Sequence, residues 1–449
     1  MSRLSKIFVF FGIIFLLSGF LLNQWMLSKF LPFFAENLNL ARSILLMVFN
    51  LSLIFSGIIF IKFRSRTKKL FLFLGVFALM LASLLGGLEA IIRMVVPSYK
   101  KIMYFSDYPF QRDPFVGIIH KPRFEGKIKA KEFEIVFKTN SQGFRSEEEF
   151  IAGDSQNKTI AVLGDSFVEA LEVREEDSFV KLLEGNLKNR EAVQVQNYGV
   201  SNLGIVHYLQ MYKYYVRQRH PEIVIIAIFP FNDFKNSSPV LEEEDATRPN
   251  YILDKDGKIK EIARFEVPNN AIFNLFHRLD SIFESSAAYQ TLLLAGKKVD
   301  RIGVDNVPHD FYVFEDPWRE SFKEAYGFSS LAFNQLIGEI KKDSALPIVV
   351  LLPSRLETND QDWQQAMKTY SLAGGEAVLD RERGRISVRG LVDKTGVLFL
   401  DLTQIFKEEY SFGRSPHFPL DGHLNAFGHR IVAESLTEEI SKIYYEKGI

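Results

Sequence analysis

Gly164-Asp165-Ser166-Phe167 follows directly on an apolar run at 159–163. Glycine permits a tight turn, and a serine set just past a strand end projects into the crevice where open α/β sheets bind ligands. A serine hydroxyl is a weak nucleophile until a base takes its proton, and that base needs a carboxylate to fix its tautomer. Asp421-Gly422-His423-Leu424-Asn425, near the C-terminus, offers both groups, with His423 as base and Asp421 as its carboxylate. The chain has 8 histidines, and two rivals lie close by. His417 sits between Pro416 and Phe418 and reads as a loop residue, and His429 falls inside the last helical pattern. His423 is assigned because it precedes that helix, where a loop can return to the strand ends. Such a base, unperturbed, makes activity rise with pH through ~6.5. The alternative for the triplet alone is a turn or helix cap, for which Ser and Asp are equally suited.

Acyl transfer also needs donors aimed at the oxygen that turns negative in the tetrahedral intermediate. Tyr198-Gly199-Val200-Ser201-Asn202 follows the run at 193–197, and Pro230-Phe231-Asn232-Asp233 follows the run at 223–229. Gly199 is read as a main-chain donor that can approach closely, and Asn232 as a side-chain donor. Taken singly, Gly199 can be a loop hinge and Asn232-Asp233 an ordinary turn pair. Three such features on three successive strand ends favour a site. The chain has no cysteine, which excludes disulfides, thiolate metal sites and a cysteine nucleophile. The expected chemistry requires no metal and no nucleotide cofactor.

These residues need a scaffold that brings strand ends together. Apolar, β-branched runs at 159–163, 193–197, 223–229, 347–352 and 397–402 alternate with helical patterns at 178–187, 206–219, 318–342 and 426–444. Continuous apolar strands interleaved with helices predict a parallel sheet covered on both faces. A stretch at about 235–316 interrupts this rhythm, with a hairpin expected at 251–260 turning on Asp256-Gly257 and an amphipathic segment at 272–297. Placed after a strand end, it either walls a pocket or serves packing alone. Residues 102–150 read as a polar, irregular connection.

The N-terminal part differs in kind. Residues 1–101 carry 12 Lys+Arg against 2 Asp+Glu, and the remainder 42 against 53. A basic apolar region joined to an acidic globular one excludes the basic folded face of a nucleic-acid binder. Three apolar stretches, 7–26, 43–61 and 70–95, each approach the ~20 residues that cross a membrane as a helix. Basic residues crowd Lys62–Lys69, so the positive-inside rule puts the N-terminus and that loop in the cytoplasm and everything after Tyr99 outside. The expected division is a three-helix transmembrane region at 1–98, a connection at 99–150 and a catalytic domain at 151–449.

Taken together, the four blocks from 159 to 444 resemble the SGNH (GDSL-like) hydrolase superfamily. That resemblance implies a flavodoxin-like three-layer α/β sandwich with a parallel sheet, here preceded by an all-α transmembrane region. It also implies Ser166 as nucleophile, His423 as base, and an oxyanion hole built from the Ser166 N–H, the Gly199 N–H and the Asn232 amide. Asn140-Ser141-Gln142-Gly143-Phe144-Arg145 resembles a lead-in that precedes the nucleophile block in some bacterial relatives. Two positions depart from the family pattern. Leu420 stands where the aspartate three residues before the histidine is commoner, and the Asp-x-His spacing of Asp421 resembles the alginate O-acetyltransferase branch. Pro230 replaces the glycine usually found two residues before the asparagine.

The implied function is an extracytoplasmic esterase acting on acyl esters, acetyl groups on envelope or extracellular carbohydrate among them. The first alternative is an O-acyltransferase that hands the same acyl group to a sugar hydroxyl and needs a membrane partner to supply it. The second is a non-catalytic binding module that keeps the fold.

Overall fold

The computed structural model describes residues 3–21, 40–62, 85–86, 89, 104–105, 109–154, 158–188, 192–238, 241, 250–253, 259–263, 308–369 and 378–446. They fall into two compact units: the N-terminal helices, and everything from Tyr104 onward.

The first unit holds α1 (Arg3–Leu21), which covers residues 7–21 of the first apolar stretch, and α2 (Leu40–Lys62), which covers the second. The two helices meet closely. A Cβ on Gly57 would lie 2.7 Å from the Gly12 carbonyl oxygen and 2.7 Å from the Leu16 side chain. Among the described residues no helix is long and apolar enough to cross a membrane. The third apolar stretch lies outside the described residues except for Leu85, Gly86 and Glu89.

The second unit is built on five parallel strands: β1 (Lys158–Gly164), β2 (Val193–Gly199), β3 (Ile223–Ile228), β4 (Leu346–Leu351) and β5 (Leu398–Asp401). Their spatial order is β5-β4-β3-β1-β2. The order reverses between β1 and β3, so flavodoxin-type sheets open their ligand crevice at the carboxyl ends of those two strands. Gly164 pairs with Gly199, Leu163 with Ile226, and Leu351 with both Ile228 and Asp401, which aligns the carboxyl ends along one edge.

After β1 come α3 (Ser166–Glu169) and α4 (Phe179–Lys188), and after β2 comes α5 (Ile205–Met211), which continues as a π turn and a 3-10 turn to Arg219. Then follow α6 (Glu320–Lys342), α7 (Arg383–Val392), α8 (Thr403–Ser411) and α9 (Ala426–Glu446). Successive strand residues point to opposite faces, which separates two cores. Ala161, Leu163, Val224, Ile226, Val349 and Leu351 pack under α5, α6 and α7. Ile160, Val162, Ile225, Ala227, Ile348 and Val350 pack under α4, α8 and α9. Each fully buried Val, Ile or Leu contributes roughly 1.5–3 kcal/mol, so sequestering both faces makes the sheet the rigid floor of the crevice.

The stretch read from sequence as an irregular connection is built from strands. Phe110–Asp113 pairs with Gly117–His120, and Glu125–Lys129 pairs with Glu134–Lys138 and with Tyr104–Phe105. The signal for them is alternation: Gly126 and Ile128 point inward between charged neighbours, Ile135 and Phe137 point inward on either side of exposed Val136, and Ile128, Ile135 and Phe137 meet Leu171. In the 235–316 stretch, Asn250–Leu253 and Ile259–Ala263 form the expected hairpin. Its turn and the 272–297 segment lie outside the described residues. A 3-10 segment, His309–Phe314, closes the stretch, and its Phe311 and Phe314 rings pack on Phe231.

Candidate active site

β1 ends at Gly164, and the chain turns at once into α3. Asp165 caps that short helix, its carboxylate accepting the Phe167 N–H at 2.9 Å. Ser166 is therefore the first helical residue. Its main-chain N–H has no partner within the helix, and its side chain opens toward the crevice between β1 and β3.

His423 arrives from the opposite end of the sequence on the loop before α9. A bridge between His417 and Leu424 narrows that loop, and the Phe418 N–H donates to the His423 carbonyl at 2.8 Å. Gly422 takes φ +98°, a left-handed conformation that glycine adopts without strain. The imidazole then reaches the serine. His423 Nε2 lies 2.8 Å from Ser166 Oγ, and Nδ1 lies 2.6 Å from Asp421 Oδ1. With Nδ1 carrying its hydrogen toward Asp421, Nε2 accepts the serine hydroxyl proton. The Phe167 ring packs on the imidazole at 5.1 Å, leaving the ring 28% exposed.

Sequence reasoning missed a second carboxylate at the base. Glu172 Oε1 lies 3.3 Å from His423 Nδ1, and Glu172 is 2% exposed. Burial pushes its carboxyl up to about 7, against the pull of His423. For His423 itself, burial opposes the charged form. The Glu172 and Asp421 carboxylates, with Asp165 beyond them, outweigh that and hold the ring above the ordinary imidazole value. The unperturbed midpoint expected from sequence is thereby corrected upward. No local pattern marks Glu172, which becomes legible only once α3 and the final loop meet. The Asn140–Arg145 lead-in explains how its loop is held. Buried Arg145 donates to the carbonyls of Glu169 (2.8 Å), Ala170 and Val173 (2.6 Å), bracing the chain on either side of Glu172. Glu172, Asp421 and His423 also bring their donor atoms within 4.8 Å of one another, close enough to share an ion. An ion there would take the Nδ1 electrons that the serine–histidine arrangement needs protonated.

The oxyanion donors divide. Asn232 sits at the crevice, and its Nδ2 donates to Asp165 Oδ2 at 3.0 Å; the amide's second N–H remains for another acceptor. Gly199 does not take the expected place. Its N–H donates to Asn197 Oδ1 at 2.8 Å, so the geometry removes it from the hole. The glycine serves close packing, because a Cβ there would lie 2.3 Å from the Glu169 nitrogen. Asp233, beside Asn232, is wholly buried and accepts from the Phe229 N–H and the Tyr208 hydroxyl. Burial holds its carboxyl well above the usual range, which suits a neutral structural group.

The rival histidines are built into the core. His417 is 0% exposed, with Nε2 3.2 Å from the Pro353 carbonyl and Nδ1 2.9 Å from the Tyr410 hydroxyl. His429 accepts the Phe179 N–H at 3.2 Å. Burial pushes both rings down to about 3, so both are neutral, and their nitrogens are engaged with groups other than Ser166.

No family model matches the chain, and neither does any curated protein. Several solved structures are similar. The acetylxylan esterase Axe2 from Geobacillus stearothermophilus is 16% identical, covering 65% of this chain and 96% of that one with a TM-score of 0.34. The psychrotrophic esterase EstA from Pseudoalteromonas sp. is 11% identical, covering 64% and 99% with a TM-score of 0.32. TesA is 10% identical, covering 62% and 96% with a TM-score of 0.33.

Proposed function

We propose that the chain is a serine esterase that cleaves carboxylic esters through an acyl-enzyme. The observation that carries this reading is the unbroken line of contacts Ser166 Oγ–His423 Nε2 (2.8 Å) and His423 Nδ1–Asp421 Oδ1 (2.6 Å). Ser166 gives its proton to Nε2 as Oγ bonds to the ester carbonyl carbon, and the carbonyl π electrons move onto oxygen. The second Asn232 N–H and the Ser166 N–H stabilise that oxyanion. Collapse expels the alcohol, which takes the proton back from Nε2, and leaves the acyl group on Ser166. Water activated by His423 then repeats the sequence and releases the acid.

The reading extends to place and substrate. The chain is anchored in a membrane by the three apolar stretches of its first 98 residues and its catalytic unit faces outward, toward acylated envelope or extracellular carbohydrate. Support comes from the basic loop at Lys62–Lys69 and from the apolar side chains that α1 and α2 leave exposed, among them Phe10, Leu17, Phe20, Met47, Leu51 and Phe55. A reporter active only in the cytoplasm, fused after Ile449, is expected to be silent; a strong signal contradicts the topology.

One observation favours a second reading, O-acyl transfer. The carboxylate that meets His423 is the Asp-x-His residue, the spacing that resembles the alginate O-acetyltransferase branch. Water and a sugar hydroxyl differ only as the second nucleophile, so both are tested at once. The full chain is incubated with an aryl acetate, with and without oligosaccharide, while acetate release and sugar acetylation are followed. Esterase function predicts acetate release unaffected by sugar. Acetylated sugar formed at the expense of acetate identifies a transferase, and neither product with a folded chain leaves a binding module.

A further inference from the structure

We propose that Glu172 is a second carboxylate of the base, sharing the Nδ1 side of His423 with Asp421. The imidazolium formed when Ser166 gives up its proton is then held between two acidic side chains. This rests on the serine-esterase reading and assigns a positioning residue to it. Three observations carry it. Glu172 Oε1 is 3.3 Å from Nδ1, an ion-pair contact beside the 2.6 Å hydrogen bond to Asp421 Oδ1, so two carboxylates face one nitrogen. Glu172 is 2% exposed, and its second oxygen, Oε2, makes no hydrogen bond among the described residues. A carboxylate that buried is costly to leave uncompensated, and the charge facing it at contact distance is that of His423. Finally, the two carboxylates come from independent elements. Asp421 stands on the loop before α9, and Glu172 on the segment that also delivers Ser166, braced by Arg145.

The surrounding charges settle the sign. Glu172 is faced by His423, Asp421 and Glu169, and Arg145 lies within its field; His423 is faced by Glu172, Asp421 and Asp165. Around the imidazole the acidic groups outnumber the basic ones, so each carboxylate favours the charged imidazolium. Removing either one lowers the pH at which His423 becomes a free base. The arrangement also makes Asp421 partly replaceable. With Asp421 lost, Glu172 remains as the carboxylate beside Nδ1 and still favours a proton there.

The test uses a fluorophosphonate, which needs an activated serine and no knowledge of the natural ester. Its rate of reaction with Ser166 in the full chain is followed against pH for the wild type, Glu172→Gln, Glu172→Asp, Asp421→Asn and the Glu172→Gln/Asp421→Asn pair. Glu172→Gln is expected to move the midpoint acidward by about one unit or more, and Glu172→Asp to restore it in part. Asp421→Asn alone is expected to keep a raised midpoint and to react at least about tenfold faster than the pair, a coupling a purely structural role does not produce. If Glu172→Gln fails to fold, the Asp421→Asn profile decides, since a midpoint at the ordinary imidazole value there contradicts the proposal. Labelling of wild-type Ser166 with coincident wild-type and Glu172→Gln profiles overturns this inference alone. No labelling of wild-type Ser166 overturns the esterase reading and this inference with it.

Discussion

His417 and His423 stand six residues apart on one loop and have opposite surroundings. His417 is closed in by the Pro353 carbonyl, the Tyr410 hydroxyl and the Phe406 ring, and burial keeps it neutral far into acid. His423 keeps a partly open ring, a serine hydroxyl on one nitrogen and two carboxylates on the other. The difference shows what separates a histidine that stabilises from one that can move a proton. The first has fixed hydrogen-bond partners and no charge to balance. The second faces groups that stabilise its charged form and a hydroxyl that can supply the proton.

The largest expected effects fall on the reactive pair. Ser166→Ala and His423→Ala each lower kcat on an aryl ester by on the order of 10⁶-fold, with the double variant little worse, because such residues act as a unit. Multiplicative losses in steady-state kinetics would break the pairing. Asn232→Ala comes next, with a loss of about 10²–10³-fold in kcat, or ~2.7–4 kcal/mol, if its second N–H meets the oxyanion. Full activity in that variant leaves the hole to main-chain donors alone.

His417→Ala sharpens the contrast from the other side. It is expected to leave kcat within a few-fold and to cost about 1–3 kcal/mol of stability, since it strands the buried Pro353 carbonyl and removes one partner of the Tyr410 hydroxyl. Thermal melting beside a rate assay reads both effects. The deficit has a pH dependence with a defined sign. A ring held at about 3 in the fold but ~6.5 in the unfolded chain contributes stability above pH ~6.5 that is lost as pH falls toward 3. The gap between wild type and His417→Ala should therefore shrink in acid, by up to about 1.4 kcal/mol per pH unit below ~6.5. A gap that widens in acid means His417 is charged in the fold. The smallest shift is in the activity profile, whose midpoint should lie alkaline of ~6.5 because Glu172 and Asp421 favour the imidazolium.

Much of this scaffold is legible in the amino-acid sequence alone. β1, β3 and β4 are read directly because burial on both faces fills them with apolar residues, and a continuous apolar run announces that burial; β2 carries Gln194, Gln196 and Asn197, and the edge strand β5 is only partly buried, so both rest on the alternation with helices. Ser166, Asn232, Asp421 and His423 are legible because each sits a few positions beyond a strand or before a helix, where the local sequence already implies exposure at the crevice. Gly199 shows the limit of that logic. Residue type marks a place where a side chain cannot fit, but not which neighbour forbids it or where the N–H points. The neighbours are Glu169 and Val168, and the N–H is held by Asn197. Glu172 is illegible for a related reason, since its partner lies near the far end of the chain and nothing local distinguishes it from a surface glutamate. The hairpins at 110–138 escape a sequence reading because many of their residues are charged, and alternation over five residues is a weaker signal than an apolar run.

Activation of Ser166 by His423, and not by His417, is open to direct test. The most direct measurement is the rate at which a fluorophosphonate modifies Ser166 in the wild-type full chain, in His423→Ala and in His417→Ala, with labelling mapped by mass spectrometry and folding checked by thermal melting. Rapid labelling of the wild type is expected, with labelling of folded His417→Ala within a few-fold of that rate and none above background in His423→Ala. Equal labelling of His423→Ala and wild type, or loss of labelling in a folded His417→Ala, contradicts activation by His423.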